Sequence, residues 1–448
     1  MSVPRILLAP THRTGLANAV TAAVAEIATA QGRRVRYHHL GPLNPAAAWD
    51  RWEGAAFLDP ALYDEETLLG LYDVATRGAQ LSLLSSTLGL LDSREGAAWL
   101  PVDVAKVLDC PVVVVLDCRG WSTGLGALVA GLRARLKGIN LAGALLSGVD
   151  DQDHCELLRR VLAQENVPVV GCLFNGDGPS WEAPAPGAWG LPLDPTLLES
   201  VSRQVDVQGL EALAGQRGFL SAQTWLLDRG AEGPLVMVAG GPGFTPWSRD
   251  SIEILRSAGA HVSRLDLVSD PRLPQEAAGL VMAGNLWVDV LPDIAMNQSL
   301  LRDIRQRIRE GLPTLALGGG MLCLLSKIQD SLGRTLELAD VVPADGEILW
   351  DLDQPAYVDV TAERDTLLLA RGETVKAWVA SDAEIVNSSA GWEPPLTLRG
   401  PGVGDGQLEG AASSSLLCSR VFVHLASRPG MGQRFVSKCA DHAVRRSR

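Results

Sequence analysis

The chain has 448 residues, of which 47% are hydrophobic and 20% are charged, and its formal net charge is −13. This length exceeds what one compact core usually holds, so two or three domains are expected. The negative charge argues against a sequence-independent nucleic-acid surface, because neutralising phosphates requires clustered Lys and Arg. Lysine is scarce, with five in the whole chain, and the first of them is Lys106.

Membrane and cysteine patterns indicate the compartment. The first residues, MSVPRILLAP, form too short an apolar run for a signal peptide, and no stretch approaches the length of a membrane span. The seven cysteines are odd in number and lack a paired CxxC spacing. We therefore expect a cytoplasmic protein with buried, reduced thiols, and neither a disulfide framework nor a zinc site.

The first part of the chain alternates strand-like apolar runs with helical patterns, which is typical of a parallel α/β sheet. The predicted strands are RILLAP, RVRYHHLGP, PVVVVLDC, INLAGALLSGV and VPVVGCLF. The predicted helices between them include GLANAVTAAVAEIATAQG, DVAKVLDC, TGLGALVAGLRARLKG and DHCELLRRVLAQ. Four or five βα units thus fill this part.

The pattern weakens after Phe174, a helical segment follows at residues 196–229, and a boundary is predicted at about Gly230. Strands and helices then alternate again through LVMVAGG, SRDSIEILRSAGAHVSRLDL, AAGLVMAG, SLLRDIRQRIREGL and PTLAL. The last hundred residues are predicted to form antiparallel strands. The fold class is therefore α/β, with two doubly wound domains at residues 1–230 and 231–448.

The first strand, loop and helix, ILLAPTHRTGLANAVT, have the position and length of a phosphate-binding loop. Leu16-Ala17-Asn18 stand where such a loop has Gly-Lys-Thr, so the lysine for the terminal phosphates is missing. A helix N-terminus alone can still hold an anion, and a plain βα turn is the other interpretation. The candidate phosphate-binding residues are Thr11, His12, Arg13, Thr14 and Gly15.

Two acidic residues are candidate magnesium ligands. Asp117 ends the buried strand PVVVVLDC, and Asp92 has a similar place in LGLLDS. A magnesium-binding acid lies at the carboxyl end of a strand in folds of this kind. Each residue could instead cap the next helix or turn.

The stretch LPTLALGGGMLCLL, residues 312–325, has the pattern of a buried strand that turns sharply into a helix. Turns of this kind often carry a catalytic Cys or Ser at the apex, because a crowded backbone lifts that side chain clear of the sheet. Here the apex is glycine.

In its order of elements, the chain resembles the cobyrinic acid a,c-diamide synthase family over nearly its whole length. The segments that carry the resemblance are HHLGP, TLGLLDS, DVAKVLDCPVVVVLDCRG, INLAGALLSGV, VPVVGCLF, GLPLDP, GLPTLALGGGMLCLL and VHLASRPGMGQRFV. The resemblance implies a P-loop domain similar to dethiobiotin synthetase, joined to a class I-like glutamine amidotransferase domain. It also implies ATP- and glutamine-dependent amide ligation in corrin biosynthesis.

The chain departs from the family at both active sites. In the first domain, the Walker lysine and threonine, the acidic residue before the Gly-Val-Met-Gly segment, and the residues around Gly-Pro are replaced by Ala17, Asn18, Ser85, His39 and Leu43. In the second domain, the family's Ala-Arg-Asp and Gly-Gly-Gly-Tyr-Pro-Glu segments become residues 239–241 and 283–288.

The family's elbow aligns with residues 317–320, so Gly318 takes the place of the nucleophilic cysteine. Phe422 takes the first position of the His-x-His pair, and His424 remains. Cys323 lies five residues beyond the apex and is predicted to belong to the core. Loss of one member of a nucleophile–base unit typically costs as much rate as loss of all of them, so thioester chemistry is not expected.

The leading hypothesis is a catalytically inactive relative that binds a tetrapyrrole or a nucleotide, or that serves as one component of a larger complex, with a homodimer as one option. Several tryptophans fall in predicted loops, where they could face a partner or fill a loop-covered core: Trp181, Trp189, Trp247, Trp287 and Trp392.

Two alternatives remain. One is an active ATP-dependent amidoligase that uses free ammonia, with Arg13 replacing the lysine and with Asp92 and Asp117 binding magnesium; ATP and magnesium are the cofactors it would need. The other is a different reaction that uses His12 with His38 or His39.

Overall fold

The structure is a computed structural model. It describes residues 3–41, 57–93, 99–176, 193, 195–216, 220, 233–241, 244–246, 249–286, 290–330, 332–348, 356–379, 383–388 and 392–446. The chain divides into two compact units, the first holding most residues up to Trp225 and the second most residues from Leu226. Gly230 lies outside the described residues, and the domain boundary proposed there stays a prediction.

The first unit is a parallel sheet covered by helices. Its strands are β1 (Arg5–Pro10), β2 (Val35–Leu40), β3 (Phe57–Leu58), β4 (Leu81–Ser86), β5 (Val112–Asp117), β6 (Leu141–Val149) and β7 (Val169–Phe174). Its helices are α1 (Leu16–Ala30), α2 (Glu65–Ala75), α3 (Pro101–Val107), α4 (Leu125–Arg135), α5 (Gln152–Gln164), α6 (Pro195–Gln204) and α7 (Val207–Ala214). The strand order is β3-β2-β4-β1-β5-β6-β7.

The sequence explains why this sheet is buried. The apolar residues of β1 and β5 are shielded from solvent, as strands covered on both faces require. Helix α1 supplies small side chains, and eleven of its fifteen residues are buried. Small side chains on that helix let it lie close to the strands beneath it.

The second unit contains three sheets. Its strands are β8 (Leu235–Gly240), β9 (Phe244–Pro246), β10 (His261–Asp266), β11 (Ala277–Leu286), β12 (Thr314–Gly318), β13 (Leu325–Gln329), β14 (Thr335–Glu337), β15 (Val342–Ile348), β16 (Ala356–Ala362), β17 (Thr374–Val379), β18 (Ala383–Ser388), β19 (Leu396–Arg399), β20 (Gln407–Glu409), β21 (Ala411–Ala412), β22 (Leu416–Ser419) and β23 (Val421–Phe422). The helices are α8 (Arg249–Ser257), α9 (Leu291–Met296), α10 (Gln298–Arg309) and α11 (Met431–Arg446), with 3-10 helices at Gly319–Leu324 and Leu425–Ser427.

The main sheet of the second unit has the order β10-β8-β11-β12-β22-β21, and its first five strands are parallel. Two smaller sheets have the orders β14-β13-β15-β18 and β20-β19-β16-β17-β23. All four pairings within the second of these are antiparallel, as predicted for the last hundred residues. The predicted α/β class with two α/β units is confirmed.

The prediction of a helix after the glycine elbow is wrong. A six-residue 3-10 helix, Gly319–Leu324, follows the elbow and leads directly into β13. The elbow also lies close to β11, since a Cβ on Gly320 would be 1.7 Å from the Met282 carbonyl oxygen. The apolar residues after this point are buried, and from Leu325 onward they pair with a neighbouring strand.

The prediction of fully reduced cysteines is also wrong. Cys155 and Cys172 form a disulfide, and their Cα atoms are 6.5 Å apart. Seventeen residues separate them in the chain, but α5 packs against β7 and brings them together. The other five cysteines are free and buried, as predicted. Among the residues that the structure describes, no helix is long and apolar enough to cross a membrane.

Candidate functional site

The predicted residues of the first unit lie at one edge of its sheet. Strand β1 pairs with β4 on one side and β5 on the other, all in parallel. The loop at residues 11–15 follows β1, Asp92 follows the turn after β4, and Asp117 ends β5. The structure therefore brings all three segments to the same carboxyl edge, where parallel sheets bind ligands.

The loop itself is held by its own hydrogen bonds. The Thr14 backbone N–H donates to the Thr87 carbonyl at 3.0 Å, and the Thr14 hydroxyl accepts from the Leu16 N–H at 3.2 Å. Gly15 precedes α1 without a side-chain cap. His12 and Arg13 are exposed, and Thr14 is buried. The Thr14 hydroxyl thus already holds the first amide of α1, and the loop sequence supplies no lysine beside the helix N-terminus.

Beneath the loop, three neutral side chains form a buried hydrogen-bond chain. The Tyr37 hydroxyl donates to the Ser85 hydroxyl at 2.6 Å, and Ser85 in turn donates to Asn18 Oδ1 at 2.6 Å. Burial raises the pKa of Tyr37, so the phenol stays neutral. Ala17, the residue before Asn18 in the chain, is fully buried. These groups do not fit a magnesium-bound triphosphate, which needs a lysine for its phosphates and a hydroxyl or carboxylate for the metal.

The two candidate magnesium ligands are engaged in different ways. Asp117 makes a two-pronged ion pair with Arg119, with Nε–Oδ1 at 3.1 Å and Nη2–Oδ2 at 2.8 Å. The Asp92 carboxylate lies against Gly89, where an added Cβ would be 2.2 Å from Oδ2. Among the described residues, no group of three or more His, Cys, Asp or Glu could hold a metal ion. The metal site stays a prediction.

The glycine elbow of the second unit keeps a strained backbone. Gly318 ends β12 with φ 60° and ψ −130°, a conformation that L-residues rarely adopt. A Cβ there would lie 2.8 Å from the Gly284 carbonyl oxygen of the neighbouring strand. A sharp strand-to-helix turn of this kind presents a nucleophile in hydrolases, whereas here it presents only backbone.

The strand beside the elbow continues past it. Residues Gly284 to Leu286 of β11 pair antiparallel with β9, so that Leu286 lies opposite Phe244. Both of these side chains are buried. Gly319 packs against the same segment, since a Cβ on it would lie 2.5 Å from the Leu286 nitrogen. Protein backbone and apolar side chains therefore pack directly around the elbow.

His424 is fully buried, and both of its ring nitrogens have partners. Its Nδ1 accepts from the Ala426 backbone N–H at 3.1 Å, so the ring proton must be on Nε2. Nε2 is 3.0 Å from Asp250 Oδ2 and 3.4 Å from the Ser251 hydroxyl. His424 thus connects the turn at Leu425–Ser427 to the first turn of α8.

The comparisons with known proteins agree with the resemblance in the sequence. The hydrogenobyrinate a,c-diamide synthase of Streptomyces coelicolor is 26% identical, with 98% of each chain covered. That of Thermobifida fusca is 27% identical over 97% of this chain and 96% of its own, and the cobyrinate a,c-diamide synthase of Picrophilus torridus is 24% identical over 85% and 86%. The chain is thus similar, over nearly its whole length, to proteins named a,c-diamide synthases. No family model matches it.

Two solved structures are each similar to about half of this chain. PurLQS from Thermotoga maritima is 15% identical and covers 48% of this chain and 100% of its own, with a TM-score of 0.33. A solved glutamine amidotransferase is 15% identical and covers 46% of this chain and 99% of its own, with a TM-score of 0.35. Likenesses of this size support no functional conclusion.

The structure also places the other residues predicted from the sequence, namely Phe422, Cys323 and three histidines. Phe422 stacks on Trp378, with ring centroids 4.0 Å apart. Cys323 is in the core, and burial raises the pKa of its thiol to about 12. His38 and His39 are fully buried in β2, whereas His12 is exposed.

The tryptophans give little information on partners. Trp392 is partly buried against the core of the second unit. The other four that fall in predicted loops, namely Trp181, Trp189, Trp247 and Trp287, lie outside the described residues. Sequence reasoning missed Trp121, whose exposed fraction is 41% and which lies in the loop after β5.

Sequence reasoning also missed Tyr37 and Asp250. Tyr37 lies in the strand just before HHLGP, but only the fold shows that its hydroxyl meets Ser85. Asp250 lies 174 residues from His424 in the chain, and its position at the start of α8 resembles an ordinary acidic first turn. A buried aspartate facing a histidine is visible only after the fold is known.

Proposed function

We propose that the protein is a catalytically inactive relative of the a,c-diamide synthases and that it works by binding. The observation that carries this proposal is Gly318 at the apex of a strained elbow. Glutamine hydrolysis through a covalent intermediate starts from a nucleophilic side chain, and glycine has none. The free thiol of Cys323, five residues further on, is fully buried and has a raised pKa, so it does not replace the missing nucleophile.

The histidine contacts support the same proposal. A general base must offer a free ring nitrogen to the group from which it takes a proton. In His424, Nδ1 is used by the Ala426 N–H and the Nε2 proton faces Asp250. The residue that the resemblance assigns to catalysis therefore serves to fix the Leu425–Ser427 turn against α8.

The first unit supports the loss of ATP-driven chemistry. Phosphoryl transfer depends on positive charge and a metal ion placed around the phosphates. The positions that the resemblance assigns to this chemistry hold the buried Ala17, Asn18 and Ser85, and Ser85 is hydrogen-bonded to Asn18 and to Tyr37. Arg13 is the nearest cation in the loop sequence, and it is exposed.

For the ligand, we propose a corrin-type tetrapyrrole carboxylate, bound by the chain alone, as a homodimer or within a larger complex. The names of the relatives, hydrogenobyrinate and cobyrinate a,c-diamide synthase, give the ligand class. The carboxyl edge of the first sheet offers Arg13 as an exposed cation and Trp121 as an exposed aromatic face. A flat macrocycle with acidic side chains would be complementary to that pair.

The first experiment uses the purified full-length protein with hydrogenobyrinate or cobyrinate, glutamine and Mg-ATP. We expect neither glutamate nor amidated corrinoid to form, while native mass spectrometry of the protein from its own cells detects a tetrapyrrole or a co-purifying protein. Glutamine-dependent amidation would overturn the proposal. A bare chain without ligand or partner would contradict its binding half.

A variant that restores the nucleophile sharpens this test. Gly318→Cys should remain inactive as a glutaminase, because His424 cannot serve the new thiol, and it should lower the free energy of unfolding by about 1–3 kcal/mol through backbone strain. Gly404→Cys is the matched control, since a Cβ there meets nothing closer than 4.0 Å. Glutamate release by Gly318→Cys would show that His424 is available after all.

The alternative activity, an ammonia-dependent amidoligase, makes a different demand. It needs Asp117 as a magnesium ligand, and Arg119 already occupies both carboxylate oxygens. Asp117→Ala abolishes ATP turnover if the alternative holds. Under our proposal there is no turnover with ammonia in either the wild type or the variant, measured by ADP release.

A further inference from the structure

The disulfide joins a helix that begins at the carboxyl edge of the first sheet to a strand that ends there. Cys155 lies in the first turn of α5, and Cys172 lies within the edge strand β7. Their exposed fractions are 2% and 4%. This buried bond therefore fixes the position of the beginning of α5 relative to the last part of β7.

The residue before Cys155 links α5 to the loop after β5. The Asp150 N–H donates to His154 Nδ1 at 3.2 Å, so the ring proton is on Nε2, which lies 2.8 Å from the Trp121 carbonyl oxygen. Asp151 caps the helix by accepting from the His154 N–H at 2.8 Å. The first turn of α5 thus holds the loop at residues 118–124 through one imidazole ring.

The strand that carries Cys172 is also connected to Asp150. Asn175 follows β7, and its side-chain amide donates to Asp150 Oδ1 at 2.6 Å. Its backbone N–H donates to the Val149 carbonyl at 2.8 Å. Both halves of the disulfide are therefore connected, through Asp150 and His154, to the loop that carries Trp121.

The loop at residues 118–124 also contacts the ends of β5 and β6. Arg119, in the same loop, makes the ion pair with Asp117. Gly148 at the end of β6 has φ +68°, and a Cβ on it would lie 2.6 Å from Arg119 Cγ. Contacts therefore run from the first turn of α5 to Trp121, and the loop that carries Trp121 also holds the Asp117–Arg119 pair.

We propose that the Cys155–Cys172 bond is a redox-sensitive tether that sets the position of the loop at residues 118–124. In the step, a cellular dithiol gives two electrons and two protons to the disulfide; the S–S bond breaks, two thiols form, and the dithiol becomes a disulfide. Without the covalent link, the beginning of α5 depends on exposed hydrogen bonds, which are individually weak. The loop then exchanges among positions instead of holding one.

Burial sets how fast the tether responds. Because both sulfur atoms are shielded, a thiol can attack only after the first turn of α5 opens. The tether is therefore slow towards protein reductants and faster towards small ones. It regulates the edge where our proposed function places the ligand, but the conformational effect itself needs no ligand.

The test begins by counting thiols. Alkylation of the unfolded, unreduced full-length chain should label five of the seven cysteines, those that are free, and labelling after reduction should reach all seven. Hydrogen exchange with mass detection then compares the folded protein with and without a phosphine reductant. Peptides that cover residues 118–124, 150–156 and 172–175 should exchange about tenfold faster after reduction, while α2 stays unchanged.

Variants provide the controls. A Cys155→Ala/Cys172→Ala chain should show the fast pattern in both conditions, and Cys110→Ala, which removes a buried free thiol of the same unit, should keep the redox response. Seven labelled cysteines without reductant would overturn the proposal, as would unchanged exchange in the reduced wild type. Neither result touches the proposed function, which fails only through corrinoid amidation or the absence of a ligand and partner.

Discussion

Under the proposed function, the two candidate sites of this chain have lost their chemistry in opposite ways. In the first unit the strand topology is present, and Ala17, Asn18 and Ser85 take the places that the resemblance gives to a lysine, a threonine and an acidic residue. In the second unit the strained backbone is present at Gly318, and glycine takes the place of the nucleophile. Side chains needed only for chemistry can be replaced freely, whereas a backbone turn that neighbouring strands pack against cannot.

The largest effect that tests this comparison is expected at Gly320. Gly320→Ala places a Cβ 1.7 Å from the Met282 carbonyl oxygen, so β11 and the elbow cannot keep their positions together. We expect a loss of more than about 4 kcal/mol in the free energy of unfolding, measured by urea denaturation. Gly404→Ala, in open space of the same unit, should change it by less than about 0.5 kcal/mol. A stable Gly320→Ala protein would break the claim that packing maintains the elbow.

The neutral chain of the first unit should give the next largest effect. Ser85→Ala leaves the Tyr37 hydroxyl and Asn18 Oδ1 buried without this partner, at a cost of about 3 kcal/mol. Adding Tyr37→Phe removes one of the stranded groups, so the double variant should be more stable than the single one. Denaturation of both variants checks this, and a double variant less stable than Ser85→Ala would contradict it.

Acid should destabilise the first unit through His38. Burial, assisted by Arg36, lowers its pKa to about 3. Between that value and the unfolded pKa of about 6.5, only the unfolded chain binds the proton, so stability is full above the window and falls as the pH falls. At pH 5 the loss relative to pH 7 is about 2 kcal/mol.

Urea denaturation at the two pH values should show a smaller pH dependence for His38→Gln than for the wild type. His261→Gln, at an exposed histidine, should keep the wild-type dependence. Equal pH dependence in all three proteins would show that His38 is protonated in the folded state.

The smallest effect is expected at the Asp117–Arg119 pair. The exposed fractions of the two side chains are 18% and 49%, and ion pairs of that exposure contribute less than about 1 kcal/mol. Arg119→Ala should therefore match Arg77→Ala, which removes a similarly exposed pair with Asp73. If Arg119→Ala also created magnesium binding, seen by calorimetry, the first site would be masked rather than lost.

The sequence predicted the parts of the fold that depend on local pattern. Uninterrupted apolar runs such as Val112–Asp117 identified buried parallel strands, and three successive glycines identified the elbow. It failed after the elbow, because apolar periodicity cannot distinguish a buried helix from a short 3-10 turn followed by a strand. The pairing of β13 with β14 and β15, which the sequence does not show, decides between them.

For the candidate sites as well, the sequence indicated the features that depend on local pattern and missed the contacts between distant elements. The expectation that Gly318 and Ala17 take the places of a nucleophile and a lysine came from the sequence, because the neighbours of each residue in the chain set the alignment; that expectation stays a prediction. The contacts of His424 with Asp250, and of Cys155 with Cys172, connect different elements of the fold. No spacing rule predicts such pairs, since their meeting depends on how helices pack on sheets.

The place of β22 in the second sheet bears on how the protein is made. The first sheet is complete once the chain has been synthesised to Phe174, whereas the second lacks the partner of β12 until Leu416–Ser419 emerge. Until then the edge of β12 is unpaired, and exposed strand edges pair readily with other chains. Translation that stops before Leu416 would therefore release a product in which all strands of the first sheet are present. In its second unit, the unpaired edge of β12 would be able to associate with other chains.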